Sequence, residues 1–324
     1  MQIYRLHPLL RNTAIFVTLG MTCACQPMNA RDAAVESVAP TLTELENLTY
    51  KGIGEARTPV TLSDGEWQGQ PFVDGGSSRP RVGLVRNFHL SGDLNGNGTE
   101  ETVALLWSDS GGSGTFDYIA VVGRNESGAP LNLATAALGD RVKIRSATID
   151  PGGMIIIDTV QTGPDDAACC QGQKFKRTFA LEQGTLNEVS RKNQGRQSLA
   201  DLTGTEWVLK EFDRKEMLPD HVEVTLFFDA DRISGKSACN RYSGSVTVSK
   251  LPGTLTVNMP MISTMMVCPS PADEIERRYL NALQAVTQYS FLTGNLALTW
   301  RKNDRFGTMI FTPRKPLLTK TAIN

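Results

Sequence analysis

Histidine is nearly missing from this chain, which has only His7, His89 and His221. There is no histidine cluster and no Cys-x-x-Cys pair, so the spacings that build zinc sites are absent. His89 ends one apolar run and His221 sits beside Asp220 ahead of another. A single imidazole in such a place is a surface or edge residue. An excess of charge is missing too: 33 Lys and Arg stand against 34 Asp and Glu, a net charge of -1. Such a balance makes no basic field, so the expected partners include no nucleic acid. The Gly/Ser-rich stretch 110–115 lacks the Gly-Lys-Ser/Thr ending of a phosphate loop, and Ser113 is not centred in Gly-x-Ser-x-Gly. It reads as a hairpin connection. Asp229, Asp231, Glu274 and Glu276 could supply acid and base, but turn acids and acids at a helix N-terminus account for them. No residue pattern demands catalysis.

What is present is an ordinary globular composition, 40% hydrophobic and 21% charged over 324 residues. That length suits two domains of common size better than one. At the N-terminus Arg5 and Arg11 precede an apolar run over 13–21. The run is far shorter than the ~20 residues that span a bilayer, and reads as a signal peptide. Thr22-Cys23-Ala24-Cys25-Gln26 follows. It resembles a lipoprotein processing site, with a small residue ahead of the cysteine that becomes the lipidated N-terminus. Cys25, after Ala24, fits better than Cys23, after Thr22, although Thr22 stands where such sites usually carry leucine. The alternative is a plain signal peptide without lipid. Gln26 after the cysteine implies outer-membrane sorting by the same resemblance, so the expected place is the cell envelope, as an outer-membrane lipoprotein facing the periplasm, or else soluble in the periplasm. Residues 26–46 are small and polar and read as a tether.

From 47 to 196 the chain reads as an antiparallel β domain. Residues 82–90, 102–107, 116–122, 142–145 and 154–157 are apolar runs set apart by Gly, Pro, Asn and Asp. No helix-period window of useful length lies between them. Residues 179–181 and the Gln183-Gly184 turn make a closing hairpin, and the polar run 190–196 reads as a linker. Within this domain Gly92-Asp93-Leu94-Asn95-Gly96-Asn97-Gly98-Thr99-Glu100-Glu101 is similar to calcium loops that feed a strand. Asp93, Asn95, Asn97 and Glu101 would face one hard cation, weakly, because only two are charged. A polar turn with Asn and Gly at its left-handed positions explains the same residues. No other cofactor is expected. Cys169 and Cys170 are adjacent; a bridge between neighbours closes a strained ring, and pairing with another cysteine is geometrically easier.

The second domain spans 197–315. Residues 205–212 form a strand carrying Trp207, and Val222, Val224, Leu226 and Phe228 alternate onto one face of another. After the turn at 229–232, strands follow at 246–248 and 254–257. Ser270 as N-cap and Pro271 as first residue open a helix whose early turns carry Asp273, Glu274 and Glu276. Ile275, Tyr279, Leu283 and Val286 form its apolar stripe. Strands resume at 289–292, 296–300 and 308–311, and 316–324 is a tail expected to fray. The fold class is therefore mainly β, with one packed helix in the C-terminal domain.

Three stretches carry a resemblance. Residues 204–209, with Trp207, come first. Residues 234–244 follow, with Cys239, Asn240, Tyr242 and Gly244, and then 263–269, with Thr264, Cys268 and Pro269. In this order, with the helix after them, they resemble the META domain of the heat-shock protein HslJ and of many bacterial envelope lipoproteins. The resemblance covers about the last third of the chain and implies a small antiparallel barrel-like sheet with one packed helix. It departs at Ala238, where the family often has glycine, and at Met265, where it often has arginine. In an exported chain the four cysteines beyond the leader are expected to pair, with three connectivities open. The one that joins Cys239 to Cys268 within the META region needs only local closure and is favoured; two buried thiols are the competing reading. The resemblance implies a non-catalytic envelope protein, bound to the membrane through a lipid on Cys25, that binds an envelope protein or small molecule or supports stress tolerance. The alternative is a periplasmic hydrolase using carboxylates of the first domain.

Overall fold

The computed structural model describes residues 38–324 apart from 55–57, 113, 165, 168–169, 214–215, 316–317 and 321–324. Cys25 and the leader lie outside the described residues. Residues Ser37–Asn324 form one compact unit. The fold is mostly antiparallel β.

The two most apolar runs became the middle of the first sheet, for a reason their lack of alternation announces. A strand buried on both faces reads as a continuous apolar run. Strands β1 (Thr49–Tyr50) and β2 (Val60–Thr61) pair with each other, and the sheet itself runs β3 (Glu66–Gln68), β4 (Arg81–Gly92), β5 (Glu101–Asp109), β6 (Thr115–Arg124), β7 (Pro130–Asp140). Val103, Leu105, Ile119 and Val121 face a core shared with a second sheet, while Ala104, Leu106, Ala120 and Val122 face a core closed by Leu45, Tyr50, Val60 and Leu62. In β4, the six residues from Leu84 to His89 stand opposite the three from Ala104 to Leu106. The three extra residues reverse the alternation, so Val82 and Leu84 face one core and Phe88 and Leu90 the other.

The second sheet is β8 (Lys143–Ile149), β9 (Ile155–Gln161), β10 (Gln173–Glu182) and β11 (Thr185–Arg196), joined by β21 (Leu318–Lys320). Ile144, Ile149, Ile155, Ile157 and Phe179 lay its inner face on the first sheet. The N-terminal part is thus two stacked sheets under a lid. Three expectations are corrected. The tether ends early: Thr41 and Glu44 form a reciprocal capping box that starts helix α1 (Leu42–Glu46), and Leu45 is buried beneath it. The linker at 190–196 is strand, paired residue by residue with β10 through Arg191, Lys192 and Asn193; its polarity reflects an exposed edge, where polar side chains are at home. The tail is strand at Leu318–Lys320, parallel to Ala147–Ile149, because the outer edge of β8 offers unpaired main-chain groups. The hairpin at Gln183-Gly184 has both residues in the left-handed region, as its turn type requires.

The C-terminal part is a curled sheet in the order β17 (Thr256–Ser263), β16 (Arg241–Thr247), β15 (Arg232–Lys236), β14 (Thr225–Asp229), β12 (Glu206–Phe212), β20 (Arg305–Pro313), β19 (Asn295–Lys302), β18 (Val286–Leu292), with β13 (Glu216–Met217) beside β12. Its two ends meet: Leu255 donates to the Thr287 carbonyl at 3.0 Å and Tyr289 to that of Gly253 at 2.7 Å. Helix α2 (Ala272–Gln284) fills the barrel mouth with Tyr279, Ala282 and Leu283, and Ile275 packs at the margin. Pro271 is its N-cap, not Ser270, and Val286 has already left the helix for β18. The two parts meet tightly. Val160 joins the barrel's core, Lys174 reaches Asp201 at 2.7 Å, and Gly294 donates to the Ile144 carbonyl at 3.0 Å.

Between the stacked sheets one carboxyl stands out. Burial, reinforced by Asp140, lifts Asp117 to about 7 against the hydrogen bond from Val142 N–H, 2.6 Å long. A carboxyl raised in the folded state stabilises it fully below the unfolded value of 3.8 and loses that contribution as pH rises through 7. Asp117→Asn keeps the acceptor for Val142 and does not ionise. It is expected to gain stability relative to wild type between pH 5 and pH 8, measured by denaturant unfolding at each pH; a constant difference would contradict the burial argument.

Candidate functional site

The signature residues converge on one carboxylate. The strand β15 ends at Lys236, and the chain turns through Ser237, Ala238, Cys239 and Asn240 into β16. Ala238 adopts φ 84°, a left-handed conformation costly for any side chain, at the place where glycine was the family habit. Across the loop Glu276 of α2 reaches in. Its Oε2 accepts from Ser237 Oγ and from Asn240 N–H, both at 2.8 Å, and its Oε1 accepts from Asn240 Nδ2 at 2.9 Å. Asn240 is itself buried and used on both sides. Its Oδ1 accepts from Thr264 Oγ1 at 2.7 Å and from Met266 N–H at 2.8 Å, while its Nδ2 also donates to the Met266 carbonyl at 3.2 Å. Thr264 and Arg241 exchange further bonds, and Pro269 accepts from Ala272 N–H at the start of α2.

The Cys239–Cys268 disulfide lies in the same knot, with S–S 2.08 Å and Cα–Cα 6.0 Å. Cys170 is also disulfide-bonded, and Cys169 lies outside the described residues. Below the knot, Tyr242 donates to the Thr225 carbonyl at 2.9 Å and meets the Tyr279 hydroxyl at 2.6 Å. Gly235 is obligatory there, since a Cβ would stand 2.0 Å from the Thr225 carbonyl oxygen. Gly244 allows Met261 to lie against β16, and Trp207 is wholly buried with its Nε1 on the Leu202 carbonyl at 3.3 Å. The signature is thus architecture. Every polar atom named is used within the protein.

Glu276, which its place early in α2 would explain as a helix N-terminal acid, is the hub of the knot. Burial pushes its pKa up, but the bonds from Asn240 N–H, the Asn240 amide, Ser237 Oγ and Cys239 N–H bring it below the usual 4.5.

An accessible concavity lies apart from the knot, between α2 and the turn from β19 to β20. An open cleft of about 970 Å³ is lined by Phe212, Asp213, Arg278, Trp300, Lys302 and Phe306 among others. Arg278 lies 4.5 Å over the Phe212 ring and binds both Glu216 oxygens at 2.5 and 2.8 Å. Asp213 accepts from Thr308 N–H at 2.8 Å and Trp300 Nε1 at 3.3 Å. The wall is therefore held in place while Phe306 stands exposed at its rim. Sheet order, not sequence proximity, gathers these residues from four elements, so no local motif signalled them.

In the other part, the loop Asp93 to Glu101 is closed on itself. Asp93 accepts from Gly96, Asn97 and Gly98 N–H, Asn95 Oδ1 from Asn97 N–H, and Asn97 Oδ1 from Thr99 N–H. Glu101 is buried and accepts from Leu94 N–H and Asn95 Nδ2, both at 2.9 Å. Burial raises its pKa. Among the described residues no three His, Cys, Asp or Glu side chains gather to hold a metal.

Residues 200–313 match the META domain family. The META match begins just before β12 and ends with β20. A solved structure, the NMR structure of a protein from Burkholderia xenovorans, is 26% identical over 36% of this chain and 86% of its own, with a TM-score of 0.30. No curated protein matches.

Two expectations follow. Glu276→Ala strands the buried Asn240 N–H and removes one acceptor each from Ser237 Oγ and the Asn240 amide, and is expected to lower stability by about 2–3 kcal/mol, with Glu276→Gln losing less. Because the Glu276 pKa is lowered on folding, its contribution is present above 4.5 and fades as pH falls below it, so the deficit of the alanine variant should shrink in acid. With two carboxylates, the loop from Asp93 is expected to bind calcium no tighter than ~10⁻⁴ M. Isothermal titration of chelator-treated protein checks this, and micromolar binding would contradict it.

Proposed function

We propose that this is a non-catalytic envelope protein whose META domain serves as a binding module, of the kind associated with stress tolerance, held at the outer membrane by a lipid on Cys25. The observation that carries the binding reading is the cleft beside α2. An aromatic and an arginine in its wall are fixed by partners, so a ligand meets preformed groups and little side-chain freedom is lost on binding. Its occupant is an envelope protein or a small molecule. The site is concave, with aromatic surface and a few oriented polar groups, the usual make-up of ligand sites. The hydrolase reading rests on Asp117, whose pKa is near neutrality. That half-buried carboxyl already accepts the Val142 N–H, so it supports catalysis less than the cleft supports binding.

The anchor is tested by labelled palmitate, expected to enter the wild-type protein and not Cys25→Ala; two acyl signals are what a stable anchor needs. The module is tested by capture from solubilised envelope. Partners retained by wild type should be lost with Phe306→Asp, a rim substitution that leaves the core intact. Equal capture by both would reject the cleft.

A further inference from the structure

Four of the ten methionines fall within eight residues, Met259, Met261, Met265 and Met266. The fold holds three of them out in solvent. Met265 is 95% exposed, Met266 59% and Met259 61%, next to Ile262 at 71% and Val267 at 98%. Met265, Met266 and Val267 are consecutive, and Met259 and Ile262 precede them on the same segment, a concentration of exposed apolar side chains that monomeric proteins seldom show. The run is not loose chain. Both main-chain groups of Met266 are bonded to Asn240, Thr264 is bonded to Asn240 and Arg241, and Cys268 closes the loop through its bridge to Cys239.

We propose that Met259, Met265 and Met266 form an oxidant-reactive site, at which hydroperoxides convert three thioethers to sulfoxides and switch this apolar patch to a polar one without unfolding the protein. In each event a sulfur lone pair attacks one peroxide oxygen. The S–O bond forms as the O–O bond breaks, and the departing hydroxide or alkoxide takes the proton shed by the transferred hydroxyl, leaving water or an alcohol. Sulfur is oxidised by two electrons and the peroxide is reduced by two. The product side chain is polar, which would disrupt a core but is tolerated in water. These three side chains are largely in water, and the loop beneath them is fixed by main-chain bonds and a disulfide, which sulfoxide formation leaves untouched. Met261, half-buried against Gly244, and Met309, 0% exposed in the barrel core, are shielded. Met217, 64% exposed on β13, is an isolated thioether and reports on exposure alone. The proposal does not depend on the cleft or on the lipid anchor.

The test is peptide mapping of the mature protein after graded hydrogen peroxide, with retention on a hydrophobic-interaction column and thermal melting measured on the same samples. Met259, Met265 and Met266 should gain one oxygen each at rates roughly tenfold or more above Met309. The oxidised protein should elute earlier, with its melting temperature unchanged. The triple variant Met259→Leu, Met265→Leu, Met266→Leu should fold, keep late elution and shift little with peroxide, since among the described residues Met217 is the exposed methionine that remains. Oxidation of Met309 as fast as Met265, a melting temperature that falls in step with oxidation, or an equal elution shift in the triple variant would each overturn the proposal.

Discussion

The META part of this protein depends on a carboxylate that has to be satisfied. Glu276 projects from the second turn of α2 into a loop of buried main-chain and side-chain donors, and three short bonds fix helix to loop. Asn240 passes the constraint on. With its amide oxygen taken by Thr264 and Met266 and its amide nitrogen by Glu276 and the Met266 carbonyl, it can occupy one orientation only. A buried polar group left unpaired costs about 1–3 kcal/mol, so a network of this kind is closed completely or weakens the fold. Because α2 also carries Tyr279 to Tyr242 and Arg278 to the cleft, the same bonds that lock the signature loops also set the cleft wall.

This explains which parts of the site were legible. Asn240, Thr264, Cys239 and Cys268 stand in two short loops that read as a pair, and the structure joins them. Glu276 did not stand out, because an acid early in a helix has a sufficient local explanation in the helix dipole. Its partners come from a loop more than thirty positions away, which nothing in the residues between reveals. The cleft was illegible for a related reason. Phe212 ends β12, Arg278 lies on α2 and Trp300 on β19, and only the order β12, β20, β19 brings them together.

The fold was readable as β throughout, but its layering was not. Strands β5 and β6 are apolar at consecutive positions, which signals burial on both faces but not what covers them. One cover is the second sheet. The other includes residues 41–50, whose small polar lead-in had suggested a tether. Polarity misled in the opposite sense at 190–196: alternation is lost on an exposed edge, so a strand there looks like a connector. The absence of a linker matters for function, since Asp201 takes both Lys174 and Arg145 from the stacked sheets, at 2.7 and 3.2 Å, just where the barrel begins. The barrel is seated on the stacked sheets directly.

The same loops show how holding and presenting are divided among neighbouring residues. Ala238 accepts a left-handed conformation, which opposes folding, and Val267 stands almost fully in water, where it adds nothing to the core. The strained backbone persists because the surroundings fix it. The residues that fix it, Ser237, Asn240 and Glu276, direct their polar atoms into the knot, whereas Met265 and Val267 extend their side chains outward and support nothing. A change in those outer side chains alters what the surface presents and leaves the knot closed; a change in the knot releases the loop, and with it any surface the loop displays.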